Sequence, residues 1–204
     1  MSIPEPHHPL VRLSPDEAAL LERVKTLVAE RIGPDADRVA QQDVFAWDTF
    51  RLLCREGIVA TAFPRAHDGS EASMMLRVRI IEEVASVCST AASLVTGTDL
   101  SSRPIVAGGS EALRSALIPD LASGARQSAF ALTEPGAGSD VARLGAHYAP
   151  APQGGWTLNG QKKFITRANV ADMFVVVARQ ADGPGGGRGL SAFVVPRDTP
   201  GITV

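Results

Sequence analysis

Apolar positions recur at helical spacing through the first half of the chain and switch to short, dense runs in the second. Leu20, Val24, Leu27 and Val28 share one face of a segment that opens with Ser14, Pro15 and Glu17. That opening is a helix N-terminus, with a serine N-cap, proline at the first helical position and a glutamate that closes a capping box. Gly33-Pro34 is expected to end the helix. Phe50, Leu53 and Cys54 set a second helix over about 46–56, with Gly57 as its stop. Leu76, Ile80, Val84 and Val87 form the stripe of a long helix over about 72–89. A helix rich in Ser, Thr and Ala follows over about 91–106, its small side chains suited to close packing. Ser110 caps a short helix over 111–117, and 119–124 lead out of the helical half.

Beyond residue 125 the period changes. Strands are expected over 128–133, 147–150, 173–178 and 190–195. Residues 156–158 and 161–166 read as a hairpin across Asn159-Gly160, the preferred pair for a type I′ turn. The stretch 181–189, with five glycines, reads as a flexible loop; no strand-then-helix context surrounds it, so it is not a phosphate loop. No βαβ alternation is present, which argues against a Rossmann domain. The fold class is therefore α+β in segregated halves: an all-helical bundle over 1–124, then an antiparallel β-barrel-like domain over 125–204.

Composition narrows the function classes. The 204 residues are 45% hydrophobic, enough for a sizeable core, and carry a net charge of −2 with a pI near 6.1. Nothing in that balance points to nucleic acid or a membrane surface, and no apolar run has the length of a membrane span. Residues 1–9 lack a charged-then-apolar targeting pattern. Cys54 and Cys88 lie in helical patterns without metal spacing and read as buried thiols of a reducing compartment, so a cytoplasmic setting is expected. His7 and His8, beside three prolines, belong to a frayed tail and not to a metal site. Glu82 and Glu83 are neighbours on a helix, point in different directions, and read as a solvated face.

The candidate chemistry sits in residues 131–140, Ala-Leu-Thr-Glu-Pro-Gly-Ala-Gly-Ser-Asp. Pro135 presets a turn, and Gly136 is expected to supply the positive φ of a type II turn. Gly138 lets the backbone approach a ligand. Successive N–H groups there can cradle phosphate oxygens, and the hydroxyls of Thr133 and Ser139 both donate and accept. From the glycines alone, the stretch reads first as a tight surface turn with Ser139 and Asp140 solvated. In the expected hairpin, Phe164 and Thr166 share a face. An aromatic ring and a hydroxyl so placed can lie against a flat, polar-edged ring system, or Phe164 can simply enter a core.

The string Leu132-Thr133-Glu134-Pro135-Gly136-Ala137-Gly138-Ser139-Asp140 resembles the first signature of the acyl-CoA dehydrogenase family. Trp156 to Thr166 resembles that family's flavin-facing hairpin, and Leu190 to Pro196 followed by Thr199-Pro200-Gly201-Ile202 resembles a later strand pair of its middle domain. The resemblance runs from about Ser14 through nearly the whole chain. It implies FAD as cofactor, with Phe130, Leu132 and Thr133 along the isoalloxazine and Gly138 and Ser139 at the pyrophosphate. Ser139 would also touch the acyl-CoA. Phe164, Ile165 and Thr166 would meet the flavin from the hairpin, where many relatives carry Trp at the place of Phe164. The implied reaction is α,β-dehydrogenation of an acyl-CoA thioester with hydride transfer to flavin.

The family's catalytic Glu belongs to a second helical domain after the sheet, and Val204 comes before the sheet domain would be complete. No catalytic residue or metal ligand is therefore expected in 1–204, and Glu134 is expected to hold the turn. The implied partners are an electron-transfer flavoprotein, a chain supplying the helical domain, and further copies in a homo-oligomer. Two other functions fit the same motifs: a non-catalytic flavin or CoA-binding module, such as a split-gene remnant, and an acyl-CoA oxidase or flavin monooxygenase of the same superfamily.

Overall fold

The computed structural model describes residues 12–41, 44–183 and 189–204. His7, His8 and residues 184–188 of the glycine-rich loop lie outside them. The chain divides into two compact units. One takes in the chain through Asp99 and again Ser115–Ala125; the other takes in Leu100–Arg114 and Arg126–Val204.

The first unit is helical. Helix α1 (Pro15–Leu27) starts with the expected capping box: Ser14 Oγ accepts from the Glu17 N–H at 3.2 Å, and Glu17 Oε2 accepts from the Ser14 N–H at 3.0 Å. Its buried positions are Leu21, Val24 and, past its end, Val28 and Ile32. The expected stop at Gly33-Pro34 does not occur. The chain continues as a π-helical segment (Val28–Ile32), a 3-10 turn (Gly33–Asp35) and α2 (Ala36–Gln41). Pro34 sits in the first turn of the 3-10 segment, where its missing N–H costs nothing and its fixed φ already suits a helix.

Helix α3 (Trp47–Arg55) buries Phe50 and Leu53 completely, and α4 (Met74–Val87) packs against α1 through a face that buries Leu76, Ile80 and Val84. Helices α5 (Ser89–Gly108) and α6 (Glu111–Ser123) follow. Helix α6 runs past the expected end at residue 117 and through Pro119. Burial of Leu117, Ile118, Leu121 and Ala122 offsets the hydrogen bond that the proline removes. Gly124 then turns with φ of 78°; a Cβ there would stand 2.7 Å from Cys54 Sγ and 2.8 Å from Phe50 Cε1.

The second unit is built on an open sheet of β1 (Ser128–Ala131), β2 (His147–Pro150), β3 (Trp156–Asn159), β4 (Met173–Gln180) and β5 (Leu190–Pro196). The segregated helical and sheet halves are as expected; the sheet's interior differs. Only β2–β3 and β4–β5 are antiparallel, while β1 and β2 both run parallel to β4. Long connections between these partners permit parallel pairing, which a tight hairpin cannot. Strands β1 and β2 also share a single edge of β4, β1 along Met173–Val176 and β2 along Arg179–Gln180, with β5 on the other edge.

The expected hairpin across Asn159-Gly160 is absent. Strand β3 ends at Asn159, and residues 161–166 form no strand. Gly160, at φ of 150°, passes so close to Ala146 that a Cβ would stand 2.5 Å from the alanine Cβ. Phe164 then takes φ of 59°, left-handed backbone that ends any extended run.

Candidate functional site

The first half of the site grows out of the end of β1. Beyond Ala131 the chain leaves β4 and doubles back in a turn, Glu134 to Ala137, closed by the Glu134 N–H on Ala137 O at 2.8 Å and the reverse bond at 3.3 Å. Pro135 and Gly136 hold its centre as expected, but neither Gly136 nor Gly138 has positive φ, so the turn is not type II. Its two mutual hydrogen bonds suffice without a left-handed residue. A Cβ added at Gly136 or Gly138 would meet nothing within 4 Å. The N–H groups of Gly136, Gly138 and Ser139 and the Ser139 hydroxyl make no hydrogen bond among the described residues, and all three residues are exposed. These main-chain donors and the hydroxyl thus sit at exposed positions without a partner among the described residues.

The second half is the segment after Gly160. The Lys163 N–H donates to Thr133 O at 2.8 Å, which lays this segment against the end of β1. Phe164 follows, 81% exposed, with Lys163 Nζ 4.7 Å above its ring. Thr166 is exposed, and its hydroxyl makes no hydrogen bond among the described residues. Arg167, buried, is again left-handed at φ of 68°. Two non-glycine residues in this conformation, three apart, carry backbone strain, as do Asp68 and Glu71 in the helical unit.

The remaining expected residues divide between two faces. Phe130 pairs with Val175, so it lies on the face opposite Ala131 and Val176. Ile165 packs with Ala129, Ala171 and Phe174 on the Ala131 side. Its side chain is half-buried there and also lines the groove on that face. Leu132 and Thr133 are half-buried at the junction. A groove of about 510 Å³ on the Ile165 side is lined by Phe174, Val176, Val195 and Ile202 among others, but by no residue of the turn.

Glu134 is the electrostatic centre of the junction. It is 9% exposed. Its carboxylate accepts from the N–H groups of Gly145 at 2.6 Å and Ala146 at 3.0 Å, and from Lys162 Nζ at 2.7 Å. Lys162 Nζ also donates to Leu132 O at 2.9 Å. Burial alone would raise the Glu134 carboxyl; the Lys162 hydrogen bond and the two backbone donors outweigh it and hold the group below the ordinary carboxylate range. The expected structural role for Glu134 thus has named partners. Lys162 went unread in the sequence, because one lysine of the pair Lys162-Lys163 carries no sign that it turns inward.

Among the described residues no three His, Cys, Asp or Glu side chains group to hold a metal, and no helix is long and apolar enough to cross a membrane. The donor set is that of a ligand with phosphates and a flat ring: free N–H groups and a hydroxyl on the turn, an exposed aromatic and a hydroxyl on the segment tied to it. A flavin dinucleotide fits those groups.

Comparison with known proteins agrees with this chemistry. The family model for the acyl-CoA dehydrogenase N-terminal domain matches residues 14–125, and the model for the middle domain matches residues 129–204. The chain belongs to the acyl-CoA dehydrogenase family. The probable acyl-CoA dehydrogenase YngJ of Bacillus subtilis is 32% identical over 195 residues, covering 94% of this chain and 50% of that protein. The butyryl-CoA dehydrogenase of Megasphaera elsdenii superposes with a TM-score of 0.84 at 26% identity over 94% of this chain and 51% of its own. A glutaryl-CoA dehydrogenase of Mycobacterium smegmatis in complex with FADH2 superposes with a TM-score of 0.83 at 26% identity, over 94% of this chain and 48% of its own. The chain thus spans about half the length of the acyl-CoA dehydrogenases it matches.

Proposed function

We propose that this chain forms the flavin cradle of an FAD-dependent acyl-CoA dehydrogenase. The observation that carries the reading is the hydrogen bond from the Lys163 N–H to Thr133 O, which ties the segment with exposed Phe164 and Thr166 to the strand end that leads into the exposed glycine turn. The N–H groups of Gly138 and Ser139 would hold pyrophosphate oxygens, and the Ser139 hydroxyl would meet the acyl-CoA as well. Leu132 and Thr133 would line the ring from the end of β1, and Phe130 would join them from the strand. Phe164 would supply an aromatic surface, Ile165 an apolar contact and Thr166 a hydroxyl. Bound there, FAD supplies the acceptor for a hydride from the β-carbon of an acyl-CoA thioester.

The α-proton must go to a base, and Glu134 is unsuited to that task. Its oxygens already accept three hydrogen bonds, and its lowered pKa makes it a poor proton acceptor near neutrality. The base is therefore assigned to the helical domain that follows in the family, carried beyond these residues or by a partner chain. An electron-transfer flavoprotein as acceptor, assembly with further copies and a cytoplasmic setting complete the reading. The domain boundary is placed at residues 124–125. The state of Glu134 also favours a second reading, flavin binding without catalysis by this stretch alone.

Titration with FAD, followed by quenching of flavin fluorescence, tests the cradle. Gly138→Val should fold normally, since its Cβ position is open and its φ ordinary. Its side chain would nevertheless stand where the pyrophosphate must approach, and affinity should fall at least about tenfold, one hydrogen bond to a charged group. Unchanged affinity would place the phosphates elsewhere.

A further inference from the structure

One edge of β4 carries two strands, and the place where they meet is held by side chains. Strand β1 leaves β4 after Val176 and β2 joins at Arg179, so Val177 and Ala178 have no strand partner on that edge. The Glu134 carboxylate takes the N–H groups of Gly145 and Ala146, the two residues before β2. The Lys162 ammonium takes the carbonyl of Leu132, just past β1, together with Glu134 Oε1. The next residue, Lys163, donates its N–H to Thr133 O. The two side chains are 12% and 8% exposed, so water competes little for these contacts.

We infer that Lys162 and Glu134 form a positioning clamp that fixes the distance between the glycine turn and the segment carrying Phe164 and Thr166. The inference rests on the cofactor reading above, because both of those segments are the ones assigned to flavin. A carboxylate alone could join the turn to β2, and a lysine alone could join its own segment to β1. Only the pair ties all three together at one point. The clamp touches no reacting atom; it acts through the residues it places.

Lys162→Met removes the ammonium and keeps the side chain's length. In the purified 204-residue chain it should retain native far-ultraviolet circular dichroism, bind FAD at least about tenfold more weakly, and shift the visible circular dichroism of bound flavin. Lys162→Arg, which keeps the charge, should recover most of the affinity. A Lys162→Met chain that binds FAD with native affinity and spectrum would reduce the pair to a stabilising contact and overturn the clamp. If Lys162→Met does not fold, Glu134→Asp carries the same test: its shorter arm cannot reach both main-chain donors and the ammonium, and native FAD affinity in it is equally fatal. Amide hydrogen exchange without cofactor separates this inference from the cofactor reading. Loss of the clamp should speed exchange in 133–140 and 162–167 together while β4 and β5 stay protected. Should the native chain bind no FAD, the cofactor reading fails, and the exchange pattern alone still decides whether the pair couples those segments.

Discussion

Glu134 and Phe164 show two different costs at neighbouring positions. The Glu134 carboxyl titrates below its unfolded value of about 4.5, so the folded state gains from its ionised form. That gain is full above the unfolded value and fades as pH falls through the folded one. Glu134→Gln should destabilise the chain near neutrality by about 3 kcal/mol, the low end for breaking a largely buried pair. The gap in Tm between native chain and variant should then narrow steadily below about pH 4.5; a gap independent of pH would mean that the charge contributes nothing. Phe164 carries strain instead. Its left-handed backbone costs a non-glycine residue about 1 kcal/mol, and its ring, exposed to solvent, returns little. Phe164→Gly should therefore leave Tm unchanged or raise it while FAD affinity drops. A fall in both would show that the ring serves the fold.

At the level of elements, Glu17 does more than its own helix requires. Besides closing the capping box with Ser14, its Oε1 accepts from the N–H of Ser73, the N-cap of α4, at 2.9 Å. One carboxylate thus serves the starts of two helices that pack together. Ser14→Ala should cost about 1 kcal/mol in urea unfolding, and Glu17→Ala about twice that; equal losses would show the second contact to be idle. The helices were readable in the sequence because each buries a face whose period survives tertiary packing, as Leu76, Ile80 and Val84 do. Strands were readable as apolar runs. Their pairing was not, since nothing in Met173 to Gln180 tells that one edge will be divided between β1 and β2. Asn159-Gly160 misled for a related reason: the pair favours a hairpin locally, but Gly160 serves a close pass by Ala146. Within the site, the turn and Phe164 stood out by residue type, whereas Lys162 gained its meaning only from Leu132 and Glu134, about thirty positions earlier.

For the whole chain, cofactor binding and chemistry should separate. Two family models tile it from residue 14 to residue 204, and it spans about half of its relatives' length. The carboxylate within the turn, Glu134, is committed to Lys162 and two main-chain donors. The isolated chain should therefore hold flavin yet fail to bleach it anaerobically with a panel of acyl-CoAs. A positioned base contributes about 10²–10⁴-fold, and supplying a chain that carries the following helical domain should restore bleaching. Rapid bleaching by the chain alone would reveal a base within it, and Glu134 would be the first side chain to remove.

The divided edge of β4 also sets the order in which the sheet can assemble. Its upstream partner Ser128 lies about 45 positions before Met173, and β2 must arrive on the same edge from a separate connection. Each arrival closes a long loop before any ladder bond rewards it. Strand β5, nearby in sequence, can zip onto the other edge early. The local β2–β3 and β4–β5 ribbons are therefore expected to form first, and the glycine turn, which hangs from β1, to take shape only when β1 joins β4.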